Sequence, residues 1–449
     1  MIIRRFMTAG ALIALIAGAA FAGEAAPLQS GQQSGQQPAQ PSVQAAPTGR
    51  SLLPATQALF DSYVAANKMP GIVGAFGYGD YPTAFVSAGH IADGAGAPLA
   101  GPDSLWRVYS MTKPITGLAA MILVEEGKIK LDEPVSDFIP AFKSMRVQLN
   151  PDTLESRPAA REITIRNLLT HTAGLGYNII TKGPLLEQYT KLGINPAAVN
   201  AQLEREMRTT RPASLEAFAN KVATLPLIAD PGTKWSYSIG LDVMGRVIEV
   251  ASGMSFDAFV QKRIFDPLKM SSSYWTVPAS ETSRFATNYL FVGDGRVPLD
   301  PAATSVWLSP PSFPYGGAGL VMSARDYDRF LHALQNGGTL DGARVLKPET
   351  AALMMSNLLP AGVDTSLLNT LGNAGKLGFG AGGSVFLEDR PGGLSKGTYG
   401  WGGAAGTIAW VDPARRTRGT VMVNYFPGEK WPLRGEIAAA LATDVARNR

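Results

Sequence analysis

The order of strand and helix signals along the chain constrains the fold more than any single motif. Strand patterns sit near both ends and helical patterns fill the middle. Gly71 to Gly77 and Ala84 to His90 read as strands joined by a Gly/Asp/Pro turn. Strand patterns return at Gly383 to Glu388, Ala405 to Val411 and Gly419 to Tyr425. In between, the 3.6-residue period dominates at Ile165 to Thr170, Ala197 to Met207, Ser214 to Ala223, Gly240 to Ala251 and Phe256 to Ile264. Residues 270 to 320, rich in Ser, Pro and Gly, read mainly as loop, and helices follow at Ala324 to Asn336 and Lys347 to Met355. The first and last helices are expected over Leu53 to Asn67 and Pro432 to Ala446. This order predicts an α/β (α+β) chain in which both terminal segments pair in one antiparallel sheet, flanked by the first and last helices. The expected units are a discontinuous α/β domain, 51–106 with 320–449, and a mostly helical domain, 107–319. The cleft between them is the natural place for a site.

The first fifty residues carry different information. Met1 to Arg5 is short and basic, Phe6 to Ala22 is apolar, and Ala20-Phe21-Ala22 fits a small-x-small cleavage site. A signal peptide over 1–22, cut before Gly23, is the expectation, with a periplasmic or secreted product. The alternative, a membrane anchor, needs about 20 apolar residues, and this run is short and interrupted by glycine. Gly23 to Arg50 is rich in Gln, Ser, Pro and Ala and cannot bury enough apolar surface to offset its chain entropy, so a disordered linker is expected. The formal charge of +4 includes Arg4 and Arg5 of the removable segment. No Lys/Arg stripe with interleaved aromatics is present, which argues against a nucleic-acid binder. With no cysteine and three scattered histidines, no disulfide framework and no metal-ligand spacing emerge.

Ser110-Met111-Thr112-Lys113 is the one Ser-x-x-Lys of the chain. Such a tetrad alone is weak, because about one match is expected by chance. Its placement adds weight. It opens a strong apolar helical run to Glu126, closed by Gly127, so the amine at i+3 shares a face with the hydroxyl at i. A helix N-terminus also supplies free N–H groups and positive potential. Serine needs a base to take its proton. Lysine can serve only if burial or nearby positive charge lowers its ordinary pKa of about 10.4. The bland alternative is a capping serine followed by a solvated lysine.

A second motif shifts the balance. Pro231 to Ser238 (PGTKWSYS) is a turn leading into an aromatic-rich helix start. With Leu168 to Leu175 (LLTHTAGL), Leu131 to Val135 (LDEPV) and Gly316 to Ser323 (GGAGLVMS), the chain resembles the serine β-lactamase and penicillin-binding protein superfamily. It is closest in motifs to family VIII carboxylesterases, and the resemblance runs from about residue 55 to the C-terminus. It implies a β-lactamase/transpeptidase-like fold, with Tyr237 sharing proton transfer with Lys113. Which of the two is the base stays open. It also implies that Trp401-Gly402-Gly403 occupies the place of the family's Lys-Thr-Gly strand, lining the substrate site. The backbone N–H groups of Ser110 and Ala404 would form the oxyanion hole.

Two departures from the lactam-processing pattern carry information. Ile239 stands where Tyr-x-Asn has an amide, and Trp401 stands where a cation would meet a substrate carboxylate. Tryptophan offers an apolar wall and one N–H donor. The expectation is therefore a serine hydrolase of small-molecule carboxylic esters working through a Ser110 acyl-enzyme, without cofactor. The rivals are a β-lactamase, a D-amino-acid peptidase or amidase, an acyltransferase, and a silent binder of penicillins or cell-wall peptides. Gly393-Leu394-Ser395-Lys396-Gly397 matches Gly-x-Ser-x-Gly, but no histidine follows His332 and the context is a Pro/Gly-rich turn. His171 reads as a structural hydrogen-bonder and Asp242 as a helix-surface or capping group, while His90 and His332 show no partner pattern. Trp106, Tyr177 and Trp410 could line an acyl pocket or pack in the core.

Overall fold

The computed structural model describes residues 52–371, 375–390 and 393–447. The expected signal peptide and linker, 1–50, lie outside the described residues.

The first helix, α1 (Pro54–Ala65), opens on a proline, whose fixed φ suits the first helical turn. It leads into β1 (Gly71–Tyr78) and β2 (Ala84–Gly89). The helix α2 (Thr112–Glu125) is buried over nearly its whole length, because its apolar residues encircle the axis rather than line one face. The short α3 (Ile165–Leu169) carries a reciprocal cap between Thr164 and Asn167. Next come α4 (Gly240–Ser252), ended by Gly253 in a left-handed conformation, and α5 (Ala324–Gln335), capped by Ser323. The chain closes with β3 (Leu377–Phe379), β4 (Ser384–Phe386), β5 (Tyr399–Gly402), β6 (Ile408–Asp412), β7 (Thr417–Met422) and α6 (Leu433–Arg447).

These seven strands form one antiparallel sheet in the order β3-β4-β5-β6-β7-β1-β2. Chain-distant β1 and β7 are neighbours, with Val73 opposite Met422 and Phe76 opposite Gly419. Side chains alternate between two cores. Ile72 and Phe76 join Phe60, Tyr63, Leu433 and Ile437 under α1 and α6. Val73 and Ala75 face the larger core with α2, α4 and α5. The terminal helices are tied by Asp444, which accepts from the Thr56 hydroxyl at 2.7 Å, and by Tyr63, which donates to Glu436 at 2.5 Å.

Several elements differ from the sequence reading. The stretch 270–320 holds more regular structure than its composition suggests. It carries a hairpin, Asn288–Val292 with Gly295–Asp300, whose aromatic run and Gly-Asp-Gly turn are hidden among flanking Ser, Pro and Gly. β3 and β5 lack a readable alternation because they are short and glycine-containing. The helix expected from Ala197 starts at Ala201, where the Asn200 side chain accepts from the Leu203 N–H at 2.9 Å. The helix expected from Ser110 becomes a 3-10 turn, Tyr109–Met111, followed by α2.

Candidate active site

Ser110 sits in that 3-10 turn at the mouth of α2. Tyr109 before it has φ of +41°, a region that costs a non-glycine residue on the order of 1 kcal/mol or more. Packing holds it there. Its ring meets Trp307 and Phe426 edge-on at 5.6 and 5.5 Å, and its hydroxyl accepts from Asn288 Nδ2 at 3.1 Å. Two residues further back, the buried Arg107 guanidinium pairs with Asp300, donating from Nε at 2.8 Å. Asn424 accepts the Arg107 N–H and donates to its carbonyl, each at 3.0 Å. The turn that carries Ser110 is thus anchored from its N-terminal side by buried polar bonds, each costly to leave unmade.

Three of the expected residues converge. Tyr237 Oη donates to Ser110 Oγ at 2.7 Å, and Lys113 Nζ lies 3.3 Å from the same oxygen. Lys113 is fully buried. Its ammonium donates to the Gly317 carbonyl at 2.8 Å and lies 4.6 Å from the Tyr237 ring centroid and 5.5 Å from that of Tyr177. Side chains of α2 knit the 316–320 segment to the helix. Thr116 donates to the Gly316 carbonyl at 2.7 Å, and Thr112 Oγ1 accepts from the Leu320 N–H at 3.1 Å.

The Trp401-Gly402-Gly403 segment lies alongside. Trp401 Nε1 donates to Tyr237 Oη at 3.3 Å, and its ring packs on Tyr237 at 5.6 Å. Gly403 has a steric reason. A Cβ there would sit 2.3 Å from the Val108 carbonyl oxygen and 2.2 Å from Thr407 Oγ1. Only glycine lets this segment approach the nucleophile turn. Ala404 follows, and among the described residues its N–H has no backbone partner. The Ser110 N–H lies in a first helical turn, where donors lack a preceding acceptor. The cleft beside Ser110 is further lined by Tyr177, Asn178, Ile179 and Ala318.

His171 is buried and acts through structure. The Ser238 N–H donates to its Nδ1 at 3.1 Å, and its ring lies 4.8 Å from Tyr237. Burial, aided by the Lys113 charge, holds its pKa well below the ordinary 6.5, so the ring is neutral. Asp242 departs from the sequence reading. It is fully buried, not on the surface of α4. Its Oδ1 accepts the Gly317 N–H at 2.8 Å, so a single residue's backbone separates it from Lys113. Burial pushes its pKa up to about 7, against the pull of Lys113 and the Gly317 N–H. The signal available in sequence was the glycine run 316–319, which marks close backbone approach. A Cβ on Gly317 would lie 2.6 Å from Asp242 Oδ2.

The remaining candidates separate cleanly. Tyr177 reaches the site, whereas Trp106 is a core residue and Trp410 packs against Phe76 on the far face of the sheet. Ser395 lies in the β4–β5 turn, where its N–H bonds Asp412 and its hydroxyl accepts from Arg415 at 2.9 Å. Among the described residues no group of three or more His, Asp or Glu side chains could hold a metal ion. No described helix is long and apolar enough to cross a membrane.

Comparison with known proteins agrees with this geometry. The chain is 33% identical over 338 residues to esterase EstB of Burkholderia gladioli, spanning 71% of this chain and 77% of that one. It is 31% identical over 331 residues to a lovastatin esterase of Penicillium rubens, spanning 69% and 76%. The fold superimposes with a TM-score of 0.71, at 23% identity, on EstCE1, a hydrolase with promiscuous acyltransferase activity, over 88% of this chain and 99% of that one. Residues 56–443 match the profile of the family described as Beta-lactamase, and the chain belongs to that family, within the serine β-lactamase and penicillin-binding protein superfamily.

Proposed function

We propose that this chain is a carboxylesterase that forms an acyl-enzyme on Ser110. The observation that carries the reading is the convergence of Tyr237 Oη and Lys113 Nζ on one serine oxygen. Ser110 Oγ attacks the ester carbonyl and its proton passes to the Lys113/Tyr237 pair, which enters the step one proton short, as free amine or phenolate. For this step the Ser110–Tyr237 hydrogen bond reverses, with the serine donating. The Ser110 and Ala404 N–H groups hold the oxyanion, a contribution of about 3 kcal/mol for each such donor. The C–O bond to the alcohol breaks, and the pair returns the proton to the leaving oxygen. Water then attacks the acyl-enzyme by the same route and releases the acid. No cofactor takes part.

Ester over lactam is supported by Trp401, which puts an indole against Tyr237 where a lactam-processing site would carry a cation. Esterase relatives support it too. A second reading, acyl transfer, is favoured by the relative named monacolin J acid methylbutanoyltransferase, 27% identical over 350 residues. An alcohol in place of water at the second step would give that outcome. We place the mature enzyme in the periplasm or outside the cell on the pattern of residues 1–22.

The test combines labelling with parallel assays. A fluorophosphonate should modify Ser110, and Ser110→Ala should lose turnover of p-nitrophenyl butyrate. That ester should turn over well ahead of a chromogenic cephalosporin and a D-Ala-D-Ala peptide. Full esterase activity in Ser110→Ala would overturn the proposal. Preferential lactam turnover would overturn the ester assignment, and ester formation from an added alcohol outpacing hydrolysis would favour acyl transfer.

A further inference from the structure

Asp242 is a buried carboxylate that the ester mechanism above does not use. It lies in the first turn of α4, fully enclosed. Its Oδ1 accepts the Gly317 N–H at 2.8 Å, and its Oδ2 is buried with no hydrogen-bond partner among the described residues. The other end of the same residue, the Gly317 carbonyl, accepts Lys113 Nζ at 2.8 Å. The carboxylate meets the N–H of this residue and the ammonium its C=O, each at the pole that suits its charge. A buried ion with one oxygen unsatisfied is expensive unless a countercharge offsets it. Lys113 is that countercharge.

We propose that Asp242 is a positioning residue that, through Gly317, holds Lys113 against Ser110 and sets the pH range in which Lys113 can receive the serine proton. This rests on the Ser110, Lys113 and Tyr237 reading above. Burial carries the Asp242 pKa up to about 7, near neutrality. The Lys113 charge acts on Asp242 across Gly317, and the same Coulomb interaction acts in reverse. With Asp242 ionised the ammonium is favoured; with Asp242 protonated the free amine is favoured.

The other groups around the pair do not supply the same charge. Tyr177 and Tyr237 present their rings to the ammonium. Burial raises the Tyr177 pKa well above 10 and that of Tyr315 beyond its ordinary range, so both stay neutral. His171 is neutral for the reason given above. Behind Tyr315, Arg211 lies 5.3 Å from the ring centroid and is paired with Glu204 at 2.9 Å.

The experiment is the pH dependence of kcat/KM for p-nitrophenyl butyrate in the wild type and Asp242→Asn. The amide keeps an oxygen for the Gly317 N–H and removes the charge. Removing an opposite charge that acts on a group at close range moves its proton affinity by about one pH unit or more. Without the carboxylate the ammonium is less favoured, so the acid limb should move down by about that much. An acid limb that stays in place, whether activity is kept or uniformly lost, would overturn the proposal. If Asp242→Asn does not fold, the Nζ nitrogen resonance of Lys113 in the unmodified protein decides. Two titration steps support the coupling and a single step refutes it. Fluorophosphonate labelling of Ser110 in the same samples separates this outcome from failure of the esterase reading.

Discussion

Gly403→Ala tests the geometry most directly, because the expected damage can be worked from the coordinates. The new Cβ would start 2.3 Å from the Val108 carbonyl oxygen and 2.2 Å from Thr407 Oγ1, against ordinary contacts from 3.4 Å outward. Thr407 can rotate. Val108 cannot give way easily, because its N–H bonds the Leu320 carbonyl at 3.1 Å and Arg107 beside it is held by Asp300 and Asn424. The strand end must therefore move by about 1.1 Å relative to the nucleophile turn. The Ala404 N–H moves with it, while the Ser110, Lys113 and Tyr237 contacts on the other side are untouched. Losing one oxyanion donor costs on the order of 100- to 1000-fold in kcat. Forced overpacking adds about 1–3 kcal/mol of instability. The assay is kcat and KM on p-nitrophenyl butyrate, with thermal unfolding and Ser110 labelling measured in parallel. Gly435→Ala is the control, since a Cβ there meets nothing within 4 Å. The expected result is a large fall in kcat with KM little changed and the serine still labelled. Gly403→Ala with kcat and melting temperature close to wild type would refute the close-approach argument and, with it, the role given to Ala404.

Tyr237→Phe and Lys113→Met should each lower kcat by about 100- to 10,000-fold, the usual range for lost acid–base help, as read by steady-state kinetics. Trp401→Phe removes one long hydrogen bond to Tyr237, worth about 0.5–1.5 kcal/mol, so a loss of roughly tenfold or less is expected in kcat/KM for a neutral ester. Asp300→Asn should destabilise the fold by about 3 kcal/mol or more, measured by denaturant unfolding, because it strands the buried Arg107 guanidinium beneath the nucleophile turn. Asp242 and His171 give stability slopes of opposite sign. The folded Asp242 pKa of about 7 lies above the ordinary value of 3.8, so the native state holds an extra proton and Asp242 lowers stability as pH rises from about 4 to 7. His171 is held below 6.5, so the unfolded state binds the proton first and stability falls as pH drops beneath that value. Melting curves against pH should lose the first slope in Asp242→Asn and keep the second.

Much was legible in the sequence where chemistry and local periodicity coincide. The three-residue spacing of Ser110 and Lys113 at the head of an apolar helix obliges the two side chains to share a face. Strand patterns confined to the two ends led to one sheet built from both, and β1 does pair with β7. The Tyr237 and Trp401 motifs are recognisable only by family resemblance, since nothing in their spacing indicates that they meet Ser110. The decoy at Ser395 was separable because a nucleophile elbow needs a following helix and a downstream histidine, and neither is there.

What tertiary structure alone decided is the burial of charge. Asp242 stands in the first turn of a helix, where an acidic residue ordinarily satisfies the helix N-terminus in solvent, and local sequence supports that reading. It becomes an interior carboxylate because the 316–320 segment, some 75 residues further along the chain, folds over it and presents the Gly317 N–H. The same holds for Arg107 and Asp300, which lie 193 residues apart in the chain. Periodicity reports which face of an element is apolar. It does not report which distant backbone will cover that face, and that covering turns an ordinary lysine and an ordinary aspartate into a buried pair beside Ser110.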